Sequence, residues 1–164
     1  MEHKHESRAH STPANSGMMY KKLALMILLS FAAMYILMYA MVDKFSNVIP
    51  NVNQFYMAGL MAMPMVIIEL MVMGSMYKNK KLNIILSSSG MVALIVFYVC
   101  IRQQAGVGDK QFLKSMIPHH AAAILMVEKT SLNDPEIQEL ASKIISSQQA
   151  EIEQMKAKLK ELEK

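Results

Sequence analysis

Met116, His119, His120 and Met126 fall within one stretch, SMIPHHAAAILM, residues 115–126. Imidazole binds copper in either oxidation state, while thioether sulfur is a soft donor that favours Cu(I). At ~100° per residue in an α-helix, Met116, His119, His120, Ala123, Met126 and Val127 share one face. That face is apolar apart from the histidines, so it is predicted to point into a helical bundle. A buried imidazole needs partners for both ring nitrogens, or a metal on one of them. The mixed nitrogen–sulfur set therefore points to copper, with two core histidines satisfied by Gln148, Glu151 and serine groups as the alternative. Thioether is not lost to disulfide formation and needs no deprotonation, which suits copper handling in an oxidising compartment.

The elements that must position this set follow from local signals. Gly106-Val107-Gly108 reads as a flexible joint, with Asp109 as the expected N-cap. Lys110–Lys129 reads as one helix, kinked at Pro118, whose missing N–H leaves the Lys114 carbonyl unpaired. Asn133-Asp134-Pro135-Glu136 marks a second helix start. Ile137, Leu140, Ala141, Ile144, Ile145, Gln148, Ile152, Met155, Leu159 and Leu162 then form an apolar stripe towards the C-terminus. A short connection makes the two helices an antiparallel hairpin. Folding it about the turn sets Gln148 level with Met116 and Ile144 level with His120. Glu151 lies one turn further on, so Gln148 or Glu151 is positioned to orient an imidazole, and Met155 lies further out. A hairpin of about 55 residues buries too little to stand alone. The expected solution is a homodimer, or a higher homo-oligomer, completing a four-helix bundle.

Ahead of the hairpin the chain is apolar. Leu23–Val42, Phe55–Tyr77 and Leu82–Ile101 each meet the roughly 20-residue length needed to cross a ~30 Å hydrocarbon core. The first run is too long for a signal-peptide core and no small-x-small site follows it, so it is predicted to remain uncleaved. Lys4, Arg8, Lys21 and Lys22 precede the first span, and Lys78, Lys80 and Lys81 lie between the second and third. The first loop offers Lys44, and Arg102, Lys110 and Lys114 follow the third span. This bias predicts a cytoplasmic N-terminus and an extracytoplasmic C-terminal domain in an inner or plasma membrane. The net charge of +4 is largely these topogenic lysines, so no nucleic-acid partner is expected. Cys100, the single cysteine, lies in a span and founds no disulfide framework.

Residues 1–20 are polar and are expected to be a disordered cytoplasmic tail, in which His3, His5 and His10 are solvated or loosely metal-binding. The spans hold twelve of the 18 methionines, with stripes at Met34, Met38 and Met41 and at Met57, Met61 and Met65. Packing explains any one of them; their number hints at soft-metal chemistry. Glu69 is a carboxylate inside a span, which is costly and marks a bundle interior or wet cavity. Ser30 and Ser87-Ser88-Ser89 are expected to form a polar layer with it, either structural or a proton or metal relay.

The stretch Asp109, Phe112, Met116-Ile117-Pro118-His119-His120, Ala123 and Met126 is followed by Asp134-Pro135-Glu136-Ile137 and then Gln148, Glu151, Ile152 and Met155. In order, spacing and type it resembles the bacterial ferritin-like domain-of-unknown-function family three-oh-five over residues 109–155. The resemblance implies a copper role, outside the cytoplasm, carried by Met116, His119, His120, Met126 and Met155. Soluble members of the family carry two such hairpins in tandem, whereas this chain has one, which agrees with dimerisation. They also often place Trp after the last methionine, where this chain continues Met155-Lys156-Ala157. The three-span anchor lies outside that resemblance.

The expected class is thus all-α: a tail over 1–20, a three-helix transmembrane domain over 21–104, and an extracytoplasmic metal-binding hairpin over 105–164, half of a ferritin-like bundle. The expected function is copper sequestration, tolerance or hand-off by a membrane-anchored protein, with Cu(I) as cofactor and a copper donor or acceptor protein as partner. The alternative is an assembly protein whose hairpin oligomerises without metal. No enzyme is expected, because di-iron bundles need Glu-x-x-His motifs and the hairpin has none.

Overall fold

A computed structural model describes residues 13–164, which are all-helical. His3, His5 and His10 lie outside the described residues. Helix α1 spans Pro13–Leu37 and continues as a 3-10 turn, Met38–Met41. Residues 13–20, assigned to the tail in the sequence reading, are therefore helical. Proline is tolerated in a first turn, where its missing N–H has no helical partner to lose. Met19 and Tyr20 also pack against a cluster formed by Leu23, Val66, Leu70 and Tyr77, which gives the helix a reason to start early.

Helix α2 spans Val52–Val72 and α3 spans Lys80–Gln103. Asn51 caps α2 by accepting from Gln54 N, and Asn79 caps α3 by accepting from Leu82 N. The second helix ends five residues short of the expected Tyr77, at a turn containing Gly74. Gly17–Met41, Val52–Val72 and Lys80–Gln103 are long and apolar enough to cross a membrane. Helix α2 packs against both α1 and α3. Its buried stripe, Ala58, Gly59, Ala62, Val66 and Leu70, is small at one end. Small residues let helix backbones approach closely where lipid supplies no hydrophobic drive between helices. A Cβ at Gly59 would sit 2.5 Å from the Phe97 ring of α3. Leu28, Leu29, Ile36, Ile68, Met71 and Ile84 face outward.

Glu69 accepts a hydrogen bond from the Tyr77 hydroxyl at 3.1 Å. Of the serines expected in a layer with it, Ser89 instead bonds back to the Ile85 carbonyl of its own helix. A serine hydroxyl in a helix reaches that carbonyl more readily than a side chain on a neighbouring helix.

Helix α4 spans Asp109–Lys129 and α5 spans Pro135–Leu162. Gly108, rather than Asp109, is the N-cap of α4; Asp109 is its first helical residue, beside the positive end of the helix dipole. The helix runs through Pro118. Asp134 caps α5 by accepting from Glu136 N and Ile137 N, with Pro135 following. Leu113, Ile117, Ala121 and Ile124 of α4 close on Ile152 and Leu159 of α5. The register differs from the sequence expectation. His120 meets Glu151, not Ile144, a shift of seven residues or about two turns. The cause is the connection after Lys129: Thr130 and Asp134 are extended, so the chain climbs past the end of α4 before α5 begins. Ile137 and Leu140 consequently overhang α4 and are exposed.

Part of the cover expected from a second copy comes from the chain itself. Val42 and Ile49, in the α1–α2 connection, pack against the α4–α5 core. Asp43 fixes this connection by accepting from Lys44 N and Asn47 Nδ2, while Tyr39 donates to the Ile49 carbonyl.

Candidate metal centre

Adjacent residues on a helix point about 100° apart, and the two histidines have different surroundings. His120 is buried, 6% exposed. Its Nδ1 lies 3.0 Å from the Met116 carbonyl and its Nε2 2.8 Å from Glu151 Oε2. The Met116 carbonyl and the Glu151 carboxylate are both acceptors, and which ring nitrogen donates depends on the tautomer. A metal at Nε2 would have to displace Glu151. The other carboxylate oxygen, Glu151 Oε1, accepts from Ser147 Oγ at 2.6 Å. The Ser147 hydroxyl first, and His120 second, hold the Glu151 carboxyl below the usual carboxylate range. Gln148 is half-buried, and its Oε1 has no hydrogen-bond partner among the described residues.

His119 is exposed and makes no hydrogen bond among the described residues; its ring centre lies 6.0 Å from that of His120. It lines a cavity of about 300 Å³ between α4 and the ends of α1 and α2. Met116 of α4, Met38 and Met41 of the 3-10 turn, and Met57 of α2 line the same cavity. Polar contacts hold its walls together. Ser115 Oγ donates to Asn51 Oδ1 at 3.3 Å, and Asn53 Nδ2 donates to Ser115 Oγ at 3.3 Å and Gln104 Oε1 at 2.9 Å. Val52 N donates to Gln111 Oε1 at 3.2 Å. Asn53 Oδ1 is buried without a partner among the described residues.

The sequence-derived set is thus divided. Met116 and His119 share the cavity, whereas His120 turns to α5. Met126 is 59% exposed and lines two other cavities, one shared with Met41 and one with Ile137 and Leu140. Met155 is half-buried against the α4–α5 core. Met38, Met41 and Met57 were legible as stripes but not as neighbours of His119. The available signal was topological: the end of α1, the start of α2 and all of α4 lie on one side of the three-helix unit. Among the described residues, no three His, Cys, Asp or Glu side chains are grouped to hold a metal ion. Any ion here would depend on thioether sulfur.

Residues 67–159 match the family described as Domain of unknown function (DUF305). The chain belongs to the DUF305 family. An uncharacterised protein of Acanthamoeba polyphaga mimivirus is 36% identical over 144 residues, which cover 85% of this chain and 91% of that protein. No solved structure matches the chain. The DUF305 match corrects the sequence reading in one respect: it begins within α2 and includes α3, so the family region extends beyond the hairpin into the apolar helices.

Proposed function

We propose that this DUF305 protein is a membrane-anchored copper-binding protein that holds Cu(I) for sequestration or hand-off and is not an enzyme. Helices α1–α3 anchor it in an inner or plasma membrane, with the N-terminus in the cytoplasm and the α4–α5 pair outside. Its partners are membrane lipid, a second copy through α4–α5, and a protein that donates or accepts copper. The observation that carries the reading is His119 and Met116 on one cavity, with the imidazole making no hydrogen bond among the described residues. An exposed imidazole beside a thioether is a ready pair for a soft cation. His120 positions the helix through Glu151, and Met126 and Met155 lie away from the first ligand pair.

The test uses the full chain in lipid nanodiscs, titrated anaerobically with Cu(I) against a competing chelator. Met116→Leu combined with His119→Ala is expected to weaken binding by tenfold or more, about 1.4 kcal/mol. Parent and double variant of equal affinity would remove the proposal.

A second reading, metal-free assembly, is favoured by a different observation. Both His120 nitrogens are already engaged, and Met126, Ile137 and Leu140 form an exposed apolar edge. Under that reading Leu140→Glu disperses the oligomer and copper has no effect on it.

A further inference from the structure

We infer that the soft-metal site is composite: Met38, Met41 and Met57, from the ends of α1 and α2, complete a Cu(I) site with Met116 and His119 of α4. The inference rests on the copper reading and adds ligands that the α4–α5 pair does not contain. All five side chains line one cavity of about 300 Å³. Thioether is a neutral, weak donor, so a Cu(I) ion held by one imidazole and one sulfur gains from further sulfur within reach.

Met41 and Met57 are 55% and 38% exposed, so neither side chain is sealed inside a closed core. Met38 and Met41 stand three apart in a 3-10 turn, where residues three apart eclipse and present their side chains on one side. Met57 lies in the second turn of α2, held to α4 through Val52, Asn53 and Ser115. The site therefore sits where apolar helices end and α4 crosses them, and an ion bound there joins the anchor to the α4–α5 pair.

Two measurements on the full chain in lipid nanodiscs test this. In anaerobic Cu(I) competition titrations, the triple variant Met38→Leu, Met41→Leu, Met57→Leu is expected to bind at least about tenfold more weakly than the parent. Leucine conserves volume, and unchanged helicity by circular dichroism checks that the fold is kept. X-ray absorption of the Cu(I)-loaded chain carrying Met126→Leu and Met155→Leu gives a second readout that does not need the triple variant. With Cys100→Ser added and one chain per nanodisc, Met116 is then the one sulfur left in α4–α5, so two or more sulfur neighbours require a methionine from the apolar helices. A triple variant of parental affinity, or a single sulfur neighbour, overturns the composite site while leaving copper binding on α4 intact. Absence of Cu(I) binding by the parent overturns both.

Discussion

At the scale of single residues, His119 and His120 are identical in type and opposite in circumstance. His120 fills a place beneath α5 and ties two helices through Glu151; His119 faces an open cavity. His120→Ala is expected to destabilise the fold by about 1–3 kcal/mol, through a lost buried contact and the space it leaves. His119→Ala is expected to stay within about 0.5 kcal/mol, as exposed substitutions usually do. Thermal unfolding in nanodiscs, followed by circular dichroism, separates the two, and equal losses would contradict the division of roles. Glu151 gives a pH signature. Its carboxyl is held below the ordinary value of 4.5 by Ser147 and His120, so the folded state favours its ionised form. The associated stability is present in full above 4.5 and is lost as pH falls through the lower, folded value. Unfolding temperature measured on acidification should therefore drop below pH 4.5, and Glu151→Gln should flatten that drop.

Elements were legible wherever their signals are local. Asp134-Pro135 names the start of α5 because capping needs one side chain, two backbone N–H groups and a residue that tolerates N1. Asp134→Ala is expected to cost about 1 kcal/mol, read as a lower unfolding temperature. The α4–α5 register was not legible, because it depends on how far an extended connection climbs before the next helix begins. The division of the histidines was hidden for a different reason: adjacent helical residues point about 100° apart, so one ring can meet α5 while the next faces the cavity, and helical spacing alone does not say which. Gly59 was equally silent in sequence, where one glycine in an apolar run carries no signature. In the fold it allows Phe97, itself packed against Phe55 and Tyr56, to lie across α2. Gly59→Ala must push that ring aside. An overpacking cost of about 1–3 kcal/mol is expected, seen as easier separation of α2 from α3 in detergent unfolding.

For the whole molecule, an odd number of crossings has one consequence that the proposed site depends on. If α1, α2 and α3 each cross, the α1–α2 connection and the α4–α5 pair share one side of the membrane and the α2–α3 turn lies on the other. The packing agrees with this: Val42 and Ile49 touch the α4–α5 core, whereas Tyr77 and Asn83 meet Tyr20 at the opposite end of the helices. Lys78, Lys80 and Lys81 at the α2–α3 turn, against Lys44 alone in the first connection, favour a cytoplasmic turn. Single cysteines in a Cys100→Ser background test the arrangement through Ser75→Cys in the turn and Ser131→Cys between α4 and α5, both at exposed positions. In intact cells a membrane-impermeant maleimide should label position 131 directly and position 75 only after permeabilisation. The reverse pattern would invert the orientation and place the cavity proposed for copper in a reducing compartment, where thioether has lost its advantage over thiolate. Labelling of both positions in intact cells would mean that α3 does not cross, and α4 could then not close over the ends of α1 and α2 from the far side of a bilayer.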